Sequence, residues 1–287
     1  MITDVKEILV KAKEGGYAVG AFNTINLETT HAIVLAAKEM RSPAIIQITE
    51  KTMEYAGGRA IFHLVKNIAE FYASEIPIGI HLDHGHSFEV IKRAVNIGFT
   101  SVMYDGSRKK YEDNLLVTKE IVDFCHEKGV VVQAELGCVP YLGEVEITDL
   151  DWIKYMTDPG EAEDFVKKTG IDTLAVAIGN AHNFFKEKKE PDYDRLEMIN
   201  KALSIPLVLH GASDWENGRV GEVIKRGISC FNVDTSIRLS FVNSLVSNVM
   251  KQGPMNLDVR EFLGESRDAV KNVVKEKIKI FGSDGKV

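Results

Sequence analysis

The segment Ile76-Pro77-Ile78-Gly79-Ile80-His81-Leu82-Asp83-His84-Gly85-His86 passes from an apolar run directly into a cluster of histidines around an aspartate. A short run that is almost wholly apolar predicts a β-strand buried on both faces, as in a parallel sheet covered by helices. In barrels built from such sheets, chemistry is carried by residues at the carboxyl ends of the strands. The segment therefore predicts a buried parallel strand that ends at a polar site.

Seven further apolar runs recur along the chain, most of them separated by amphipathic stretches whose apolar residues repeat at three-to-four spacing. These runs are Tyr17–Phe22, Ala44–Ile48, Ser101–Tyr104, Val130–Ala134, Thr173–Ile178, Pro206–Leu209 and Cys230–Val233. Eight strand–helix units in about 235 residues match the size of a (β/α)8 barrel. The alternative, a doubly wound open sheet, normally has a G-x-G-x-x-G turn after its first strand, and residues 21–26 contain no glycine.

We therefore expect an α/β protein in which residues 1–287 form a single (β/α)8 TIM barrel. After the eighth strand, Ser236–Met250 and Val259–Lys279 read as two extra C-terminal helices, so the last ~50 residues are predicted to be helical. The second of these helices is amphipathic and is expected to pack on the barrel wall.

Charge and composition exclude several classes of protein. The net charge is −7 and the sequence pI is about 5.7, which argues against nucleic-acid or membrane-surface binding, because both usually need a basic face. The three cysteines have no C-x-x-C spacing, a pattern that suits a reducing compartment. The chain has no signal-like N-terminus and no run of about 18 apolar residues. We therefore expect a cytoplasmic protein.

Histidines and acids collect at the predicted carboxyl ends of the strands. Five of the eight histidines follow strands 3, 6 and 7: His81, His84, His86, His182 and His210. Three acids lie on the same rim: Asp83, Asp105 and Glu135. Three imidazoles from three strands, with an open position for a substrate, are the arrangement of a catalytic zinc site.

The order of residues in strand 3 bears on which of them reach the site. Side chains alternate along a strand, so His81 and Asp83 point one way and His84 the other. Past the strand end this alternation loosens, and His84 can turn over the barrel mouth. Asp83 and His84 can then both reach the centre, one as an acid and one as a ligand, while His81 is read as a buried, hydrogen-bonded histidine.

A phosphate site is predicted in the loops after strands 6 and 7. Gly179, Gly211 and Ser213 lie there, where backbone N–H groups can cradle a phosphate. Lys186, also after strand 6, would help to neutralise such an anion.

Together these motifs resemble the class II, metal-dependent fructose-bisphosphate and tagatose-bisphosphate aldolases over nearly the whole chain. The matching segments, in the family's order, are Gly15–Asn23, His81–Gly85, Asp105–Ser107, Ala134–Gly137, Leu209–Ser213 and Asn232–Thr235. The resemblance implies reversible aldol cleavage of a ketose bisphosphate to dihydroxyacetone phosphate and an aldehyde. Fructose 1,6-bisphosphate is favoured as the substrate, and tagatose 1,6-bisphosphate is the alternative.

The resemblance also implies a role for each site residue. It implies that His84, His182 and His210 bind Zn²⁺ and that Asp83 is the acid/base at the cleaved bond. Glu135 resembles a carboxylate of a supporting or alternative metal position, so a second divalent or a monovalent cation is also expected. The carbon proton is attributed to a glutamate in the loop after strand 5, for which Glu144 and Glu146 remain alternatives.

For the substrate, the resemblance places the first phosphate on backbone or hydroxyl groups of Gly211, Ser213, Asp234 and Thr235. It places Asn232 on a substrate hydroxyl and Arg238 at the far phosphate. It also implies a homodimer or homotetramer with a small phosphorylated ketose as its only other partner, acting in carbohydrate metabolism such as glycolysis.

Four departures from the family's pattern bear on the identity of the substrate. Asn183 and Asp214 stand where glycines are usual, and Ser236 stands where an acid is common. The segment Cys138–Gly143 lacks the usual glycine pair. None of these changes affects the predicted metal ligands or Asp83.

Three other functions compete with an aldolase of this kind. An amidohydrolase-type enzyme would place its His-x-His pair on the first strand, whereas His84-Gly85-His86 follows the third. A Schiff-base aldolase needs a lysine at a strand end, and none of the eight apolar runs ends in one. A non-catalytic barrel subunit that supports a partner aldolase would be expected to have lost ligands or the acid, and both are present.

Overall fold

Eight parallel strands close into a barrel in which each strand pairs with the next along the chain and the first pairs with the last. The computed structural model describes residues 2–141, 149–182, 190–252 and 258–287. The strands are β1 Val19–Asn23, β2 Ala44–Thr49, β3 Ile78–Gly85, β4 Ser101–Tyr104, β5 Val131–Leu136, β6 Thr173–Val176, β7 Leu207–Leu209 and β8 Ile228–Val233. The (β/α)8 prediction is confirmed, with every predicted apolar run contributing one strand.

Helices surround this barrel. They are α1 Val5–Gly15, α2 Leu27–Met40, α3 Glu50–Ala56, α4 Gly58–Tyr72, α5 Phe88–Ile97, α6 Tyr111–His126, α7 Asp149–Tyr155, α8 Pro159–Thr169, α9 Tyr193–Ala202, α10 Asn217–Lys225, α11 Thr235–Gln252 and α12 Val259–Phe281. Both C-terminal helices are present, and α12 packs against α2, α11 and β1, so its predicted place on the barrel wall is confirmed. Among the described residues, no helix has both the length and the apolar character needed to cross a membrane.

Local sequence signals explain where several helices begin and end. Asn26 and Thr29 form a capping box at the start of α2, where each side chain accepts a hydrogen bond from the other's backbone N–H. The end of α8 is set by Gly170, whose φ of 73° lies in the left-handed region that glycine adopts without a steric penalty.

The end of the barrel at which the strands begin is closed by an apolar plug, which we call the floor. Val5, Ile8, Leu9 and Ala12 of α1 are buried there. They pack on inward-facing strand residues: Val19, Ala21, Ile45, Met103, Ala175, Val208 and Cys230. The helix α1 was not predicted from the sequence.

One charged residue is buried beside the floor. Asp172, just before β6, accepts hydrogen bonds from Lys6 Nζ at 2.8 Å, from His126 Nε2 at 2.9 Å and from the Val132 N–H at 2.8 Å. Its carboxylate therefore ties α1, α6 and β5 together. The opposite end, where the strands finish, is open and polar, and we call it the mouth.

Candidate active site

A cavity of about 750 Å³ opens at the mouth of the barrel. Its walls include Asp83 and His84 from β3, His182 from the loop after β6 and His210 from the loop after β7. The ends of β1 and β2 and the segments after β5 and β8 also line it. The structure thus brings together the three predicted metal ligands and the predicted acid.

The backbone conformation at His84 explains why two consecutive residues, Asp83 and His84, can both face the same site. His84 has φ of 49°, in the left-handed region, and the pairing of β3 with β4 shifts register between Leu82 and Gly85. A non-glycine residue in this conformation costs on the order of 1–3 kcal/mol. The predicted loss of alternation is confirmed, although His84 lies within β3, which continues to Gly85, and not past the strand end.

The three histidines have the geometry of a metal site. One nitrogen from each of His84, His182 and His210 lies within 4.8 Å of the others, and His84 Nε2 is 3.1 Å from His210 Nδ1. Two nitrogens bound to a tetrahedral Zn²⁺ at 2.0–2.1 Å would stand about 3.3–3.4 Å apart. The donor set and its spacing therefore fit a divalent metal with an open coordination position.

Asp105 orients the ring of His84. The Nδ1 of His84 lies 2.8 Å from Asp105 Oδ2, and Ser107 donates to Asp105 Oδ1 through both its N–H and its hydroxyl. A carboxylate on one ring nitrogen leaves the other nitrogen, Nε2, as the ligand atom. Burial opposes the charge of His84, but Asp83, Asp105 and Glu135 outweigh it and raise the pKa of His84 to about 10. A bound metal must displace that proton.

His210 has a corresponding partner in Gln133, which the sequence did not reveal. His210 Nε2 lies 3.4 Å from Gln133 Oε1, and the amide nitrogen of Gln133 donates to Thr173 Oγ1 at 3.3 Å. This arrangement leaves Nδ1 of His210 directed at His84. The Nδ2 of Asn232 is 3.2 Å from one ring nitrogen and 3.1 Å from the other, so it lies over the ring and favours neither nitrogen.

Two asparagines hold Asp83. Asn23 Nδ2 donates to Asp83 Oδ2 at 2.8 Å and Asn232 Nδ2 donates to Oδ1 at 3.1 Å. Asp83 is buried, and its Oδ1 lies 3.9 Å from His84 Nε2. The carboxylate is thus fixed beside the metal position. Asn23 was not predicted as a site residue, because an amide at the end of an apolar strand gives no distinctive signal.

A second group of donors shares His84. One oxygen or nitrogen each from His84, Asp105 and Glu135 lies within 4.8 Å of the others. Glu135 is buried, its Oε1 accepts the Val139 N–H at 3.3 Å, and among the described residues nothing hydrogen-bonds its Oε2. Burial, with the neighbouring Asp105, raises the pKa of Glu135 to about 8. This acid can therefore exchange a proton for a cation near neutral pH.

The residues predicted to bind phosphate lie along one wall of the cavity, opposite β3. The cavity is lined by Gly211, Ser213, Asn232, Asp234, Thr235 and Arg238. Gly211 has φ of 64°, and a Cβ there would lie 2.6 Å from the backbone of Ala181, so only glycine fits. Arg238 forms an ion pair with Asp234. Gly179 is not among the described residues that line the cavity, and a Cβ there would face Met156 and the backbone at 190–191.

Three predicted residues cannot be placed. Glu144, Glu146 and Lys186 lie outside the described residues, as does Asn183. His81 and His86 are described: His81 is buried with its Nδ1 2.8 Å from Ser101 Oγ, which confirms its reading as a hydrogen-bonded interior histidine. Burial lowers the pKa of His81 to about 4. His86 is exposed on the cavity rim, stacked beside His84.

Comparison with known proteins agrees with this geometry. Residues 3–286 match the family described as fructose-bisphosphate aldolase class-II. The chain is 42% identical to the fructose-bisphosphate aldolase of Thermus caldophilus over the whole of both chains. It is 40% identical to that of Geobacillus stearothermophilus, over 99% of this chain and 98% of the relative.

A solved structure agrees as well. The crystal structure of the YdjI aldolase from Escherichia coli K12 superimposes with a TM-score of 0.86 at 34% identity, covering 100% of this chain and 99% of the other. Fold, site and whole-length similarity point the same way. The chain belongs to the class-II fructose-bisphosphate aldolase family.

Proposed function

We propose that this protein catalyses the reversible, metal-dependent aldol cleavage of fructose 1,6-bisphosphate to dihydroxyacetone phosphate and an aldehyde. The observation that carries the proposal is the convergence of three histidine nitrogens within 4.8 Å beside a buried aspartate. Metal-dependent aldol cleavage uses a metal that polarises the carbonyl and a group, such as a carboxylate, that moves the hydroxyl proton.

His84, His182 and His210 would hold the metal, and Zn²⁺ suits three imidazoles with one open position. When bound there, the metal supplies Lewis-acid polarisation of the ketone. His84, Asp105 and Glu135 offer a position for a second divalent cation. Asp105 and Gln133 direct the ring nitrogens of the two histidines that they contact.

Asp83 accepts the proton of the substrate C4 hydroxyl during cleavage. The C3–C4 bond then breaks, C4 becomes the aldehyde carbon, and the electron pair stays on C3, delocalised towards the C2 oxygen. Asn23 and Asn232 keep the carboxylate facing the cavity through this step. A glutamate of the segment after β5, Glu144 or Glu146, then returns a proton to C3. In the reverse direction each proton moves back.

The wall opposite β3 would bind the substrate. We assign the first phosphate to backbone or hydroxyl groups of Gly211, Ser213, Asp234 and Thr235, with Asn232 on a substrate hydroxyl. Arg238 would take the far phosphate, exchanging its partner Asp234 for the ligand, and Gly179 and Lys186 would support the anion. The names of the two bacterial relatives favour fructose bisphosphate. Tagatose 1,6-bisphosphate is the alternative ketose.

A non-catalytic barrel subunit is the competing function of a different class. Retention of three converging histidines together with a held Asp83 argues against it. We further infer a cytoplasmic homodimer or homotetramer in carbohydrate metabolism, with no nucleic-acid or membrane partner.

The test combines metal analysis with a substrate panel. Purified protein is loaded with zinc, and release of dihydroxyacetone phosphate is measured from fructose 1,6-bisphosphate, tagatose 1,6-bisphosphate and other phosphorylated ketoses, with and without a chelator. We expect zinc-dependent cleavage, fastest with fructose 1,6-bisphosphate. If no ketose is cleaved by the zinc-loaded protein, the proposal is wrong. Fastest cleavage of tagatose 1,6-bisphosphate would overturn only the choice of ketose.

His210→Ala tests the ligand assignment in the same assay. Removing one of three ligands should weaken zinc binding by more than about 100-fold, since loss of a partner that only supports a ligand already costs 10–100-fold. Unchanged zinc affinity, measured by competition with a chromogenic chelator, would remove His210 from the ligand set.

A further inference from the structure

Tyr141 sits where two loops of the mouth dock against each other. It forms an isolated parallel bridge with His182, and the His182 N–H donates to the Pro140 carbonyl at 2.9 Å. The loop after β5 is therefore attached by its backbone to the loop after β6 at the residue proposed as a metal ligand.

The side chains of Tyr141 and His182 are also in contact. The rings of Tyr141 and His182 are stacked, with centroids 4.4 Å apart and planes 20° from parallel. The guanidinium of Arg108 lies 5.9 Å from the Tyr141 ring centroid. The imidazole of His182 meets His84 edge-on at 5.8 Å. Tyr141 thus covers one face of His182 and restrains its rotation about the side-chain bonds.

Tyr141 borders the cavity of the mouth. Tyr141 is 39% exposed and lines the cavity together with Asp83, His84 and His210. A phenol ordinarily ionises only near about pH 10, so the Tyr141 O–H is a hydrogen-bond donor at neutral pH. Among the described residues, no hydrogen bond to this hydroxyl is present, so its donor is available to a ligand.

We propose that Tyr141 has two linked roles at this site: its ring positions His182 for the metal, and its hydroxyl donates a hydrogen bond to an oxygen of the bound ketose. A neutral donor next to the metal ligands suits a carbonyl or hydroxyl oxygen of a sugar phosphate. The bulk of the ring also closes the side of the cavity nearest His182. Tyr141 is therefore a positioning residue for the metal and a specificity residue for the substrate. The second role rests on the function proposed above.

Two substitutions separate the roles. Tyr141→Phe keeps the ring and removes the hydroxyl, whereas Tyr141→Ala removes both. The matched control is Tyr55→Ala, because Tyr55 lines the same cavity at 79% exposure and no ring contact between it and a histidine is found among the described residues. Zinc affinity is measured with a competing chelator in the absence of substrate. The kinetic constants for fructose 1,6-bisphosphate are measured at saturating zinc.

Tyr141→Ala should weaken zinc binding by about 10-fold or more, within the range for partners that support a metal ligand. Tyr141→Phe should bind zinc within about threefold of the unmodified protein, because the stacked ring remains. It should raise KM by about 3- to 10-fold with little change in kcat, as expected for one neutral hydrogen bond. Tyr55→Ala should leave zinc affinity unchanged.

Each contrary result has a distinct meaning. Equal zinc affinity of Tyr141→Ala and the unmodified protein would overturn the positioning role. Unchanged KM of Tyr141→Phe would overturn the hydrogen bond. If the unmodified protein binds no zinc, the proposed function fails first, and that outcome is distinguishable because it precedes any comparison of variants.

Discussion

The floor and the mouth of this barrel are built from opposite materials. The floor buries α1 against apolar residues of six strands, and the buried carboxylate beside it, Asp172, accepts hydrogen bonds from three groups. The mouth holds a left-handed histidine and buried oxygens without partners among the described residues, on Asn23, Asn232 and Glu135. Buried polar atoms without partners cost about 1–3 kcal/mol each. The comparison indicates that packing at the floor stabilises the fold, whereas the arrangement of polar groups at the mouth costs stability.

The largest effect on activity, without a matching effect on stability, is expected for Asp83→Ala at the mouth. Loss of a positioned acid/base should lower kcat for ketose cleavage by about 10²- to 10⁴-fold, while zinc content and the unfolding midpoint stay close to those of the unmodified protein. Steady-state kinetics at saturating zinc give the first quantity and denaturant titration the second. Survival of activity would show that another group moves the proton.

The reverse result is expected at the floor for Leu9→Ala. Leu9 is fully buried, and removing a buried leucine side chain typically lowers the free energy of unfolding by about 2–5 kcal/mol. Activity per folded molecule should be unchanged at temperatures well below the transition. A drop in kcat without a shift in the unfolding midpoint would contradict the division between the two ends.

A smaller effect is expected for Gln133→Leu, in the layer between floor and mouth. The substitution removes the acceptor that faces His210 Nε2 and should weaken zinc binding by about 10- to 100-fold. Gln133→Glu keeps an acceptor and should retain most of the affinity. Gln47→Leu is the matched control, because Gln47 is similarly buried in the barrel interior and, within the described part of the chain, no hydrogen bond joins its side chain to His84, His182 or His210. Equal losses for both leucine variants would point to general disruption of the interior.

The smallest change is predicted for Asp172→Asn, as a shift in the pH dependence of stability. Burial alone would raise the pKa of Asp172, but Lys6, the Val132 N–H and His126 outweigh it and hold the pKa below its usual range. A depressed pKa stabilises the folded state above the unfolded value of about 3.9, and the effect is lost as pH falls through the folded pKa.

The free energy of unfolding of the unmodified protein should therefore exceed that of the Asp172→Asn variant by about 1–2 kcal/mol at pH 7. The difference should shrink below about pH 4. Denaturant titrations at both pH values measure it. A difference that does not change with pH would mean that the carboxylate charge has no role at the floor.

Much of this architecture could be predicted from the sequence, because apolar runs report burial directly. All eight strands follow from such runs, and the clustering of histidines after three of them gives the site. For His84, the sequence predicts only that the alternation of side chains is lost near the strand end. Its left-handed backbone could not be predicted, because it depends on the register between β3 and β4.

Other site residues left no readable signal. Gln133 and Asn23 lie inside or at the end of apolar strands, and only the closed barrel shows that they face His210 and Asp83. In the sequence, Tyr141 stands out only as part of a segment that lacks the family's usual glycine pair. Its contact with His182 depends on two loops meeting, which no local pattern encodes.

The adjacency of Asp83 and His84 has a mechanical consequence. Because both side chains face the cavity from neighbouring positions, the spacing between the proton-transfer group and the metal ligand is set by a single peptide unit, with consecutive Cα atoms about 3.8 Å apart. When two catalytic groups lie on separate elements, the distance between them changes whenever those elements move relative to each other. Here the link is covalent, so a movement of β3 would displace the proposed acid Asp83 and the proposed ligand His84 together.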